Sequence, residues 1–173
     1  MAARKSDPQQ YRLYRMERAD IGARTYARLT FRMCQVVARS VCKAYGVQQV
    51  KVVREPLGRW AAEWHTDTIR LNPGKGTATD LVTILHELAH HVHYHIAADA
   101  SSHQDHGPEF MAAYLSIFDT VRFLPRRALM AVCDWRKIDY IDPGPSIKSL
   151  RRALDSRRGK APVLHAYVAT VQE

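Results

Sequence analysis

This sequence has no run that approaches the roughly 18 consecutive apolar residues of a membrane-spanning helix. Residues 1–20 carry positive charge but lack the apolar segment of a secretory signal. The 3 cysteines form no CxxC pair and cannot all be disulfide-bonded within one chain: Cys34, Cys42 and Cys133. These absences argue against a membrane protein and a cysteine-ligated zinc ribbon, and we expect a cytoplasmic protein in a reducing environment.

The size and composition are those of one globular domain, with 173 residues, 46% apolar and 25% charged. The net charge of +9 is unevenly distributed along the chain. Residues 1–60 carry 13 Lys and Arg against 4 Asp and Glu, residues 61–143 carry 7 against 11, and residues 144–173 carry 6 against 2. Basic ends around an acidic middle indicate either contact with a polyanion such as nucleic acid or simple solubility.

Hydrophobic periodicity predicts an α+β protein with a long N-terminal helix, a small antiparallel or mixed sheet, and helices in the second half. We divide the chain into a polar basic arm (1–21), a single domain (22–142) and a basic C-terminal tail with a short helix (143–173). The long helix is predicted from Gly22 to Tyr45. A strand is predicted over 47–53, followed by a hairpin that turns at 66–67 and ends at 72.

Four arginines of the predicted long helix share an arc of roughly 80°, at about 100° per residue: Arg24, Arg28, Arg32 and Arg39. The short helix of the tail adds Arg151 and Arg152. These six residues are the candidate nucleic-acid contacts, and the alternative interpretation is that they form solvated helix edges. Helices are also predicted from Leu81 to about Ala97, from about residue 108, over 125–135 and over 146–160.

The helix that begins at Leu81 contains the motif HExxH, formed by His86, Glu87 and His90. Residues four apart lie on the same face of a helix, so two imidazoles can bind one zinc ion at about 2.0–2.1 Å. Glu87 then flanks the metal and can act as general base. In a chain of this length and composition, the expected number of chance occurrences of the motif is about 0.02. We therefore predict one zinc ion as cofactor.

A catalytic zinc site has three protein ligands and leaves one position for water. The compact arrangement HExxHxxGxxH is absent, so the third ligand must come from further along the chain, with candidates at Asp99, His103, Asp105, His106 and Glu109. We favour His106, because Gly107 lets the backbone approach closely and Pro108 defines the start of the next helix. Glu109 is the alternative ligand.

Three more histidines of this helix cannot bind the same ion unless the helix bends: His91, His93 and His95. His91 and His95 form a second i,i+4 pair, but no acidic residue stands between them as Glu87 does in the motif. We predict all three as polar residues of the surface or of a cleft wall.

The segments HELAHHVH and HGPEF resemble the SprT-like (Spartan-type) zinc metallopeptidases, whose pattern is HExxH, a short insert and H-G followed by an aromatic residue. The matching positions are His86, Glu87, His90, His106, Gly107 and Phe110, and the resemblance covers about residues 22–120. It implies a zincin-like fold, zinc bound by His86, His90 and His106, Glu87 as catalytic base, protein substrates and, for many members, association with DNA. The chain departs from the family in lacking a cysteine zinc ribbon.

The reaction that this resemblance implies is peptide-bond hydrolysis, in which zinc activates the attacking water and Glu87 takes its proton. We expect an extended substrate to pair with the strand TIRLN (68–72). Tyr94, Tyr114 and His103 are the candidates for stabilising the oxyanion.

Three interpretations remain open at the level of sequence. One is the SprT-like endopeptidase. A weaker similarity to the ImmA/IrrE-type peptidases, whose third ligand is a glutamate, favours Glu109 and cleavage of one regulatory protein. The last is a DNA-associated module in which zinc is not catalytic.

Overall fold

The computed structural model describes residues 7, 9–22, 28–97 and 105–155. Within these ranges the chain forms an α+β structure with six α-helices, one π-helical segment and a small mixed sheet. In chain order the elements are α1 (Gln10–Arg15), the π-helical segment (Met16–Gly22), α2 (Phe31–Tyr45), β1 (Lys51–Arg54), β2 (Ala62–His65), β3 (Thr68–Leu71), α3 (Leu81–Ile96), α4 (Pro108–Thr120), α5 (Arg126–Arg136) and α6 (Ile147–Asp155).

The N-terminal segment that the sequence predicts as a polar arm is helical and packed into the protein over residues 10–22. Leu13, Met16 and Ile21 are at most 1% exposed, and they belong to the hydrophobic core. Arg136 of α5 binds Asp20 through Nε at 2.8 Å, which holds the segment against the C-terminal half. The prediction of an arm was wrong for residues 10–22, because Leu13, Met16 and Ile21 are enough to anchor this segment in the core.

Helix α2 begins at Phe31 rather than at Gly22. The side chain of Thr30 accepts a hydrogen bond from the backbone N–H of Met33 at 3.2 Å and so caps the first turn. Gly46 ends the helix in the left-handed conformation, with φ of 62°, as the sequence predicts. The late start removes Arg28 from the helix, and Arg24 lies outside the described residues.

The sheet has the order β1-β3-β2, with β1 parallel and β2 antiparallel to β3. The predicted hairpin is confirmed, and Thr66 in its two-residue turn has the positive φ (51°) that tight hairpin turns require. Strand β1 begins at Lys51, later than the predicted 47. Because β3 is paired on both sides, it cannot bind a substrate strand, and β2 forms an edge of the sheet instead.

Helices α3 and α4 form the centre of the fold, and both begin where the sequence predicts. Helix α3 also packs against α2 and β2. Residues 110–118 of α4 are all buried, so this helix is enclosed on every side. The contact between α3 and α4 brings the residues around Pro108 next to the HExxH face of α3.

The two C-terminal helices cover α4, and both lie where the sequence predicts helices. Leu150 and Leu154 of α6 are 0% and 5% exposed, so the first part of the predicted tail is docked on the domain. The predicted tail residues 156–173 lie outside the described residues. None of the helices in the described part of the chain is long and apolar enough to cross a membrane.

Candidate metal centre

Three histidines meet between α3 and the start of α4, and their ring nitrogens could hold a metal ion: His86, His90 and His106. The Nε2 atom of His86 lies 3.2 Å from Nε2 of His90 and 3.2 Å from Nε2 of His106. Ligands that bind zinc tetrahedrally at about 2.0–2.1 Å lie about 3.3 Å apart. These two distances therefore match the spacing of zinc ligands, and the ligand atoms of all three histidines lie within 4.8 Å of one another.

Packing between the two helices fixes the positions of these rings. His86 and His90 are one turn apart on α3, and His106 stands two residues before α4 begins. The ring of Phe110 lies 4.4 Å from that of His90 and 5.0 Å from that of His106, so it fills the space beneath them. Gln9 donates its side-chain N–H to the carbonyl of His106 and thereby anchors the loop.

Two carboxylates orient two of these histidines by binding the Nδ1 atoms, which lie on the side of each ring that faces away from the cluster. Nδ1 of His86 binds Glu17 Oε1 at 2.7 Å, and Nδ1 of His106 binds Asp7 Oδ2. A carboxylate accepts the proton on Nδ1, so each Nε2 carries a lone pair that points into the cluster. Two such lone pairs 3.2 Å apart repel each other unless a metal ion or a proton lies between them. The donor set therefore fits a divalent metal ion.

The same carboxylates also change the pKa values in the cluster. Burial alone would lower the pKa of His86, but the charge and the hydrogen bond of Glu17 outweigh it and raise this pKa to about 9, so a metal ion that binds here must displace a proton from this ring. Burial alone would raise the pKa of Asp7, but its hydrogen bond and charge interaction with His106 outweigh this effect and lower the pKa. Sequence reasoning missed both residues, which lie 69 and 99 positions from their histidines.

Glu87 lies beside the cluster and is 8% exposed. Its Oε2 atom accepts a hydrogen bond from the backbone N–H of Trp64 at 2.7 Å. Burial raises the pKa of Glu87 above its usual value. A carboxylate with a raised pKa is a stronger base, as a group that accepts a proton in catalysis needs to be.

Trp64 of β2 forms one wall of the site. Its ring is stacked on that of His90, with centroids 6.2 Å apart and planes inclined by 11°. On the other side it contacts Tyr94, whose ring lies 5.4 Å away. His90 is the most exposed of the three clustered histidines, so the site opens towards this wall.

The tyrosine that lies closest to two of the clustered histidines, Tyr14, is not among the candidates that the sequence suggests. Tyr114 is fully buried behind His86, with ring centroids 6.2 Å apart, and is shielded from any substrate. Tyr14 of α1 is half-buried, and its ring lies 5.7 Å from that of His86 and 5.8 Å from that of His106. Burial raises the pKa of Tyr14 to about 12, so its hydroxyl keeps its proton. The third candidate, His103, lies outside the described residues.

Among the described His, Cys, Asp and Glu residues, two groups of three could hold a metal ion. Glu109, the alternative third ligand, is in neither group, and Asp105 is exposed and also in neither. Asp99 lies outside the described residues, as His103 does. The second group consists of Asp67, His91 and His95.

The prediction that His91, His93 and His95 are surface or cleft-wall residues was wrong for His91 and His93, which are both buried. His91 is 0% exposed and contacts the backbone of Gln48, and His93 is 5% exposed. The acidic residue that the sequence lacks between His91 and His95 is supplied by Asp67 from the β2–β3 turn.

Because α2 begins late, fewer of the four arginines that were predicted to share one arc of this helix lie on it. Arg32 and Arg39 lie on this helix and are exposed, whereas Arg28 precedes it and forms an ion pair with Asp80 at 3.9 Å. In the tail helix Arg152 is exposed, and Arg151 donates a hydrogen bond to the carbonyl of Tyr45 at 3.0 Å. This contact joins α6 to the C-terminal end of α2.

In comparisons with family models, curated proteins and solved structures, none gave a significant match to this chain.

Proposed function

We propose that this protein is a zinc-dependent endopeptidase with a SprT-like, zincin-type site. The observation that carries the proposal is the convergence of three imidazole Nε2 atoms, with two of the rings oriented by carboxylates, next to the carboxylate of Glu87. Three imidazoles suit zinc among the common divalent metals, and three protein ligands leave a position open for water. A structural zinc site would normally be closed by a fourth protein ligand.

A zinc ion held by the three histidines would act as a Lewis acid, which would polarise the scissile carbonyl and acidify the attacking water. Glu87 takes the proton from this water and later returns it to the leaving amine. The backbone N–H of Trp64 fixes the carboxylate of Glu87, so that its other oxygen, Oε1, is available for proton transfer. The buried setting of Glu87 supports its role as base, because a raised pKa increases its basicity.

His106 is the third ligand in this proposal, which favours the SprT-like type over the ImmA/IrrE type. Support comes from the 3.2 Å distance between Nε2 of His106 and Nε2 of His86. Glu109 begins the first turn of α4, and it is in neither of the two potential metal groups among the described residues.

Strand β2 is the edge to which we assign the substrate backbone. Trp64 pairs with Ile69 of β3, yet its N–H is directed to Glu87, so the outer edge of β2 faces the metal centre. An extended peptide added to this edge would pass the three histidines with its backbone held by hydrogen bonds. Such binding depends little on side chains and suits a protease that cleaves many sequences.

Tyr14 is our candidate for stabilising the oxyanion, since its neutral hydroxyl lies on the side of the cluster formed by His86 and His106. Tyr14→Phe should lower kcat by about 10²–10³-fold, the usual cost of removing one oxyanion donor. Zinc content and thermal stability should be unchanged, because the phenyl ring keeps the packing. A matched variant, Tyr11→Phe, alters an exposed tyrosine of the same helix and should retain full activity. Equal activity of Tyr14→Phe and wild type would rule out this role.

Association with DNA is the second part of the proposal. It is supported by the exposed arginines Arg32, Arg39 and Arg152 and by the contact that joins α6 to α2. Binding through such residues should weaken steeply as salt is raised, because it releases counterions from the phosphates.

The proposed function is tested by incubating the zinc-loaded protein with unfolded β-casein, with and without DNA. We expect internal cleavage that stops when zinc is chelated and resumes when zinc is restored. Faster cleavage of DNA-binding proteins in the presence of DNA would support the second part of the proposal. Salt-sensitive DNA binding without cleavage of any protein would instead favour the DNA-associated module with non-catalytic zinc. Cleavage restricted to one regulatory protein would favour the ImmA/IrrE-like alternative.

A further inference from the structure

His91 and His95, which form a cluster with Asp67, lie on a different face of α3 from His86 and His90. His91 directly follows His90, so the two rings leave the helix about 100° apart and cannot share one ion. His95 Nε2 lies 2.7 Å from Asp67 Oδ1, and His91 Nδ1 lies 3.8 Å from the same oxygen. These distances lie on either side of the roughly 3.3 Å that separates the ligands in a tetrahedral zinc site.

The orientation of His91 is that of a metal ligand. Its Nε2 donates a hydrogen bond to the backbone carbonyl of Gln48 at 2.8 Å. The proton is thereby held on Nε2, and Nδ1 keeps its lone pair on the side of the ring where Asp67 and the indole N–H of Trp64 both lie. Histidines that bind metals commonly donate their other N–H to a backbone carbonyl or a carboxylate in this way.

The remaining two side chains leave the cluster accessible. The side chain of His95 is 20% exposed and that of Asp67 is 31% exposed, whereas His91 is fully buried. An ion can therefore enter from solvent, and water can complete its coordination. Two imidazoles and one carboxylate are ligands that zinc and the neighbouring transition metals accept.

We propose that Asp67, His91 and His95 form a second metal site, which binds one divalent transition-metal ion such as Zn²⁺. This site binds more weakly than the first, because an ion must displace the hydrogen bond between His95 and Asp67. It must also displace the indole N–H of Trp64, which donates to His91 Nδ1 at 3.3 Å.

Trp64 connects the two sites. Its ring is stacked on His90, and its backbone N–H binds Glu87. An ion on His91 removes the hydrogen bond that holds the indole ring, so filling the second site changes the wall of the first. The fluorescence of Trp64 should report this change.

The test is a titration of full-length, metal-free protein with Zn²⁺ in competition with a chromophoric chelator. Wild type should bind two ions in separate steps, and tryptophan emission should change in the weaker step. Asp67→Asn and His95→Ala should keep the strong step and weaken the other by at least about 100-fold, more than the loss of a ligand's hydrogen-bond partner costs. His90→Ala should instead lose the strong step, which separates this inference from the proposed protease site.

His65→Ala is the matched control, because His65 is an exposed histidine of the same hairpin that belongs to neither metal group among the described residues. It should retain both steps. Circular dichroism checks that each variant is folded, and the use of two variants keeps the test decisive if one of them unfolds. A single zinc ion in wild type would overturn the proposal. So would a weaker step that is unchanged in both variants, and the three residues would then serve only to hold the hairpin against α3.

Discussion

His106→Ala protein should contain little zinc after purification, whereas Glu109→Ala should contain as much as wild type. The first change removes one of the three converging Nε2 atoms, and the second changes a residue outside both metal groups of the described chain. Elemental analysis in an Asp67→Asn background measures the first site alone. Loss of zinc should also lower the melting temperature, because a ligand at 100 times its Kd stabilises the folded state by about 2.7 kcal/mol.

Glu17→Gln provides an intermediate case in the same experiment. The variant keeps a hydrogen-bond acceptor for Nδ1 of His86 but removes the negative charge, so zinc affinity should fall by about 10–100-fold. We therefore expect Glu109→Ala to bind zinc most tightly of the three variants, Glu17→Gln to bind it less tightly, and His106→Ala to bind it most weakly. Loss of zinc in Glu109→Ala and its retention in His106→Ala would move the protein to the ImmA/IrrE-like alternative.

Glu87→Gln should reduce kcat by about 10²–10⁴-fold, the usual contribution of a general base. The amide oxygen can still accept the hydrogen bond from the N–H of Trp64, so the geometry of the site is preserved while the proton acceptor is lost. Zinc content should equal that of wild type. The melting temperature should not fall, because a neutral amide costs less to bury than a carboxylate.

Casein cleavage by Glu87→Gln at the wild-type rate would show that another group is the base. Matched zinc content is essential to this comparison, because a variant that loses metal would be inactive for a different reason. Glu63→Gln serves as the control, since Glu63 is a half-buried glutamate of β2 close enough for its charge to raise the pKa of Glu87. It should retain at least about a tenth of wild-type activity, because it takes no part in proton transfer.

The helices that position the candidate metal ligands could be predicted because their signals are local. Apolar residues of α3 recur with the helical period, and His86 and His90 are one turn apart whatever surrounds them. Gly107 and Pro108 mark the start of α4, so the local sequence alone favours His106 over Glu109. The β2–β3 hairpin was predictable for the same reason, since its turn and both its strands are contiguous.

Predictions failed where the decisive contacts are distant in sequence. The period that suggested a helix from Gly22 contained no information on Thr30, which caps the helix at its true start. The segment over 10–22 looked polar because only Leu13, Met16 and Ile21 face the core. Burial of so few side chains can be recognised only when the surface that covers them is known.

The sequence by itself determined the chemistry of this protein: an amphipathic helix that presents two histidines and a glutamate on adjacent faces, and a third histidine at the start of the next helix. Only the tertiary structure decided what surrounds these groups. It places Asp7 and Glu17 where each binds the Nδ1 atom of a histidine. It also places the backbone N–H of Trp64 where it donates a hydrogen bond to Glu87, and Asp67 next to His91 and His95. The physical reason is the distance along the sequence over which each kind of interaction acts. Helical periodicity acts over four residues, whereas these contacts join positions 23 to 99 residues apart and depend on how whole elements pack.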